Sequence, residues 1–184
     1  VDFSVSRGDV YGLVGQNGAG KTTLLRLIAG LMKPTKGNIL CYMEKDYIGY
    51  MPQSCRFDGA QTVASTIQFF SALRNADMQN GLRLCQTLEL DTAKRVKHLS
   101  PGQQKKLQMV IAMTGDPDFY ILDEPTAGLD PNASHEMNKL IQELHQQGKS
   151  ILISSHILQD MDDICTNVAI MESGRLIYDR QLES

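Results

Sequence analysis

Short apolar runs alternate with stretches of helical spacing along the chain, and the pattern predicts an α/β fold. Val10-Tyr11-Gly12-Leu13-Val14 is apolar throughout and reads as a buried strand, and from Thr22 to Met32 apolar residues recur at helical spacing. After the turn Lys33-Pro34-Thr35-Lys36-Gly37, short strand-like pieces at Asn38 to Met43 and Tyr47 to Met51 can pair as an antiparallel hairpin. Pro52-Gln53 breaks the pattern. Thr62 to Leu73 and Met78 to Leu90 then read as amphipathic helices with no strand between them, within a helical insertion at about residues 54–115. Another helix runs from Pro101 to about Thr114, followed by the apolar strand Phe119-Tyr120-Ile121-Leu122, a helix from Pro131 to Gln147 capped by Gly148, and the buried strand Ile151-Leu152-Ile153. Val168 to Met171 and Arg175 to Tyr178, turning at Ser173-Gly174, form a closing hairpin. Val1 to Val5 alternates like a strand and there is no initiator methionine, so the chain is expected to begin inside a sheet, with the N-terminal part of its domain lying upstream.

Composition narrows the class only slightly. With 184 residues, 42% of them hydrophobic, the chain can bury one substantial core. A formal net charge of −3 gives no broad attraction to nucleic acid or anionic lipid. The four cysteines, Cys41, Cys55, Cys85 and Cys165, lack metal-ligand spacing and a disulfide framework, and are expected to be reduced thiols of a cytosolic protein. No apolar run approaches the roughly 18 residues that a membrane helix needs.

The chemistry concentrates at Gly15-Gln16-Asn17-Gly18-Ala19-Gly20-Lys21-Thr22-Thr23, which fits the phosphate-binding pattern G-x-x-x-x-G-K-[ST] between a strand and a helix. Glycines at 15, 18 and 20 let backbone N–H groups approach a phosphate closely, and the helix that follows points its positive end at the anion. Lys21 is placed to meet the β- and γ-phosphates, and Thr22 to offer a hydroxyl to Mg²⁺. Farther on, Ser100, Pro101 and Gln103 make a capping-box pattern. Asp123 and Glu124 end a buried strand, where two acids are costly unless they serve a cation or a reaction. Lys105 and Lys106, near Arg95 and Lys97, read as surface charge, as does His98. Met109, Met113 and Met161 read as core or interface filler, Tyr11 as core, and Phe69 and Phe70 as core or as part of a docking groove.

Taken together, these pieces resemble the ATP-binding cassette family, the nucleotide-binding subunits of ABC transporters, over essentially the whole chain. Asn17 to Thr23 is similar to the family's Walker A, Gln53 after Tyr50-Met51-Pro52 to its Q-loop, and Leu99 to Gln103 to its signature. Phe119 to Glu124 is similar to Walker B, Gly128-Leu129-Asp130 to the D-loop and His156 to the switch histidine. The resemblance implies a P-loop NTPase core with a mostly parallel sheet, a partial antiparallel β subdomain and an inserted α-helical subdomain. It implies ATP and Mg²⁺ as ligands, held by Gly15, Asn17, Gly18, Ala19, Gly20, Lys21, Thr22 and Thr23, with Thr22, Gln53 and Asp123 about the metal. Glu124 becomes the general base or water-orienting residue, assisted by His156, Lys21 and Gln53. Ser100, Gly102 and Gln103 would act on the ATP of a second cassette bound head to tail, and Asp130 would line the seam. The implied partners are that second subunit and a transmembrane permease, with no nucleic acid, and the implied location is cytoplasmic, at the inner face of the membrane. The wording of the motifs is most like bacterial exporters. A soluble cassette ATPase acting on ribosome or DNA is the alternative, and an unrelated P-loop kinase leaves the signature and His156 without work. Pro101 stands where the family usually has glycine, the region between Gly37 and Gln53 is short, and the adenine-stacking aromatic is expected upstream of Val1.

Overall fold

A computed structural model describes residues 1–42, 48–158, 161 and 164–181. Its centre is a sheet whose strands, among the described residues, are β1 (Val10–Val14), β2 (Ile48–Met51), β3 (Phe119–Asp123), β4 (Ser150–Ser155), β5 (Asn167–Glu172) and β6 (Arg175–Gln181). They lie in the order β2-β3-β4-β1-β5-β6, with β6 antiparallel to β5 and the other pairs parallel. Every residue of β1, β3 and β4 is buried, as strands covered on both faces must be. Alternate side chains serve opposite faces. Val10, Tyr120, Leu122, Ile151 and Ile153 join the core under α4 (Pro101–Met113) and α5 (Pro131–Gln146), while Tyr11, Leu13, Ile121 and Leu152 pack with Leu25 of α1 (Lys21–Ile28).

A separate cluster forms where α2 (Val63–Leu73) and α3 (Met78–Thr87) meet α4. Helix α4 is shared. Its Met109, Ala112 and Met113 face the sheet and Leu107, Val110 and Ile111 face the helix pair, so its second half is buried all round, Gln108 included. Both reciprocal bonds of its capping box form: Ser100 Oγ accepts from Gln103 N at 3.2 Å and Gln103 Oε1 from Ser100 N at 3.1 Å.

Two expected elements differ. Ile48–Met51 is a parallel strand whose partner is β3, with Ile48 opposite Phe119, rather than half of an antiparallel hairpin. Residues 38–42 have no regular structure, and residues 43–47 of the expected hairpin lie outside the described residues. Val1–Val5 forms no strand; Phe3 and Val5 instead pack side-on against the Tyr11 face, with the Phe3 and Tyr11 rings 5.1 Å apart. The closing hairpin forms as β5 and β6, with a register shift at Ile170/Met171.

Candidate functional site

Because β3, β4 and β1 are parallel neighbours, their C-terminal ends open on one edge, the place where such sheets bind ligands. Asp123 stands opposite Ser154, and Val14 opposite Ser155. Leaving β1, the chain is fixed by Gly15 N donating to Ser155 O at 3.2 Å, turns through Gly18 (φ 84°) and Gly20 (φ 104°), and enters α1 at Lys21. Gly20 is the left-handed N-cap of α1 and supplies no side chain, which leaves the first-turn N–H groups to an incoming anion. The Lys21 ammonium is buried, donating to Gly15 O at 2.6 Å and Gln16 O at 3.3 Å, and lies 3.3 Å from Glu124 Oε1. Asn17, Gly18 and Thr23 are exposed on the same turn, Thr22 is half-buried and Ala19 buried.

Glu124 is the meeting point. Its other carboxylate oxygen, Oε2, accepts from Gln53 Nε2 at 3.0 Å and lies 3.6 Å from His156 Nδ1, although Glu124 is only 6% exposed. Next to it, Asp123 is fully buried. Its Oδ1 accepts from Ser154 Oγ at 2.7 Å, while Oδ2 is buried with no hydrogen-bond partner. Ser154 Oγ also accepts from Glu124 N at 3.0 Å, so one hydroxyl orients both acids. Glu124, Ser155, His156, Gly128 and Asn138 share the wall of a cleft of about 350 Å³.

A buried oxygen of the kind that suits a hard cation is therefore left unpaired here. The unpaired Asp123 Oδ2 and the Thr22 hydroxyl suit Mg²⁺, which keeps several waters and takes few protein oxygens. No group of three or more His, Cys, Asp or Glu among the described residues could hold a metal by itself, so nucleotide and water would supply the remaining ligands.

Ser100, Gly102, Gln103 and Asp130 belong to a second group, at the starts of α4 and α5. Their hydrogen bonds run to their own helix ends, Asp130 Oδ1 accepting from Ala133 N at 3.0 Å, and to Lys94, whose ammonium reaches Gln103 Oε1 at 2.9 Å. A side chain at Gly102 would touch Ala133 and Leu129, so the two helix starts abut.

Of the basic pair that reads as surface in the sequence, Lys105 is buried and Lys106 is only partly exposed. Lys105 is 9% exposed and donates to Gln53 O at 2.8 Å and Glu124 O at 3.0 Å. Burial pulls its pKa below the usual lysine value, against the opposing pull of Asp123 and Glu124. Lys106 donates to Leu88 O at 3.0 Å and pairs with Glu136 at 2.6 Å. Helical spacing carries the missed signal: Lys105 stands one turn before Met109 and two before Ala112, on the sheet-facing stripe. Ser154, also without an assigned role in the sequence, lies within β4, a strand whose every residue is buried.

The phosphate loop, the paired acids and the capped α4 fit the family model described as ABC transporter, which matches residues 1–127. The chain belongs to the ABC transporter family. Among this family's curated members it is 36% identical over 193 residues to the Nod factor export ATP-binding protein I of Burkholderia orbicola, covering 96% of this chain. The chain spans 63% of the length of that relative. An uncharacterized ABC transporter ATP-binding protein of Methanocaldococcus jannaschii is 32% identical over 190 residues, covering all of this chain and 71% of its own length. A solved ATP binding subunit of an ABC transporter superposes with a TM-score of 0.86 at 29% identity, covering 98% of this chain and 81% of that one. A dimeric ATP-binding cassette in a post-hydrolysis state with ADP and Pi shares the fold, with a TM-score of 0.88 at 20% identity over all of this chain and 90% of its own. No helix among the described residues of this ABC family chain is long and apolar enough to cross a membrane.

Proposed function

We propose that the chain binds Mg-ATP at the β1–α1 loop and transfers its γ-phosphoryl group to water. The observation that carries this reading is Glu124: a buried carboxylate at a strand end, in contact with Lys21, Gln53 and His156 and adjoining an aspartate with an unpaired oxygen. The amides of Asn17 to Thr23 and the Lys21 ammonium bind the phosphates, Lys21 exchanging loop carbonyls for phosphate oxygens. Thr22 and Asp123, the latter through water, would hold Mg²⁺, which neutralises charge on the β- and γ-phosphates. Glu124 Oε2 orients the attacking water and accepts its proton. Gln53 and His156, flanking that oxygen, keep water and carboxylate in line.

Ser100, Gly102, Gln103 and Asp130 stand apart from these groups; the first three work on the nucleotide of a second cassette and Asp130 lines the seam. Pro101 removes one N–H from that helix start but leaves the Ser100 hydroxyl and the Gly102 amide. ATP shared between two chains closes the pair, and hydrolysis releases it. In this reading α2, whose Phe69 and Leu73 are exposed, passes the motion to a membrane permease that holds the subunit at the cytoplasmic face. Export is the favoured direction, after the Nod factor export for which the Burkholderia relative is named.

Phosphate release from Mg-ATP, with nucleotide binding measured separately, tests the reading. Glu124→Gln is expected to keep ATP binding and lose hydrolysis by about 10²- to 10⁴-fold. Lys21→Ala is expected to lose binding, and chelation of Mg²⁺ to stop hydrolysis. Both variants hydrolysing at the parent rate would overturn it.

A further inference from the structure

Helix α4 carries Ser100, Gly102 and Gln103 at its exposed start and Lys105 on the next turn, where the environment reverses. The Lys105 ammonium lies at the edge of the sheet between the ends of β2 and β3, which are neighbouring strands. It does not pair with the carboxylates beside it. Its hydrogen bonds go to two main-chain carbonyls, those of Gln53 and Glu124, at 2.8 and 3.0 Å. Those residues also meet through their side chains, Gln53 Nε2 on Glu124 Oε2 at 3.0 Å. Lys105, Gln53 and Glu124 thus form a closed loop of contacts that fixes both backbone and side chain at the carboxylate. Glu124 needs such fixing, because its φ of 48° is left-handed and unfavourable for a residue with a side chain.

We propose that Lys105 is a positioning residue that locks the Gln53 and Glu124 backbones to α4, so that movement of the Ser100 end of the helix reaches the chain's own water-orienting carboxylate. The proposal rests on the hydrolytic reading for its consequence in rate, but the lock itself belongs to the chain without nucleotide. A buried ammonium suits the task because it donates to more than one carbonyl at once and cannot slide to solvent without leaving both unpaired. Lys105→Met keeps the length and apolar stem of the side chain and removes the donors. Lys105→Arg restores donors to both carbonyls.

Hydrogen–deuterium exchange of the nucleotide-free chain, followed by steady-state hydrolysis, separates the lock from the reaction. In Lys105→Met, peptides spanning residues 51–54 and 122–127 are expected to exchange about tenfold faster, with those of α2 and α3 unchanged. Its kcat is expected to fall about 10- to 100-fold with KM within about threefold of the parent, the pattern of a misplaced group rather than a lost binding contact. Lys105→Arg should recover most of both effects. In a double-mutant cycle with Gln53→Ala the losses in kcat should be far from additive. Unchanged exchange at both peptides in Lys105→Met overturns the proposal, as does a loss confined to folded fraction with kcat per folded molecule intact. A parent chain that binds ATP without hydrolysing it would count against the hydrolytic reading, and the exchange experiment would still decide the lock.

Discussion

Glu124 is held in a conformation that costs about 1–3 kcal/mol for a non-glycine residue, and its neighbours stabilise it at three points. Ser154 Oγ takes its N–H, Lys105 its carbonyl and Gln53 its carboxylate. Ser154 also donates to Asp123, so Ser154→Ala leaves a buried N–H and a buried carboxylate oxygen without that partner. We expect it to lower the unfolding free energy by about 1–3 kcal/mol, read from the urea midpoint at unchanged slope, and to reduce hydrolysis further than the lost folded fraction explains. Ser154→Thr keeps the hydroxyl and should recover part of both; an unshifted midpoint in Ser154→Ala would show that the hydroxyl is dispensable. At this scale the phosphate loop and the paired acids were legible because their chemistry is written in residue type and spacing. Lys105 was not. A sequence displays the charge of a lysine but not the two carbonyls, one from the end of β2 and one from the end of β3, that make its burial tolerable.

The strands that position the acids are anchored at their opposite ends. Lys149, just before β4, lies 2.9 Å from Asp116 Oδ1 and 3.3 Å from Asp118 Oδ1, both just before β3, and Ser150 N donates to Asp118 O at 3.0 Å. Burial lowers the Lys149 pKa, but the hydrogen bond and charge of Asp116, then those of Asp118, outweigh it and leave the value above 10.5. A lysine raised in the folded state stabilises fully below its unfolded pKa, and the contribution disappears as pH climbs through the higher folded value. Lys149→Met should therefore lower Tm at pH 7, and the difference from the parent should shrink above about pH 10.5. Because Asp116 is largely exposed, the effect is at most about 1 kcal/mol. A difference constant across that range would remove the ion pair as its cause. The apolar runs of β1, β3 and β4 were readable as buried strands, since strands covered on both faces need no polar alternation. Pairing was less readable. Ile48–Met51 looked like half of a hairpin because nearness in sequence favours that partner, whereas its hydrogen bonds go to β3, beyond three α-helices. Alternation in Val1–Val5 marks only the sides of Phe3 and Val5 that pack on Tyr11.

For the whole molecule, the candidate site residues fall into two sets on one chain. One set gathers at the C-terminal edge of the sheet around Glu124; the other lies at the abutting starts of α4 and α5, around Ser100 and Asp130. Helix α4 joins them, with Ser100 at its cap and Lys105 on the Gln53 and Glu124 carbonyls. In the proposed head-to-tail pair each nucleotide would meet both sets, and the second, well-capped helix start would then have work to do. The proposal of a second copy comes from motif content, because it depends on which residues are present rather than on how they pack. The most direct test is the mass of Glu124→Gln by light scattering with and without ATP, in the absence of Mg²⁺. The account predicts a monomer that doubles in mass on adding ATP and fails to do so when Ser100→Arg or Lys21→Ala is added. A Glu124→Gln chain that binds ATP yet remains monomeric at every concentration tested would contradict it.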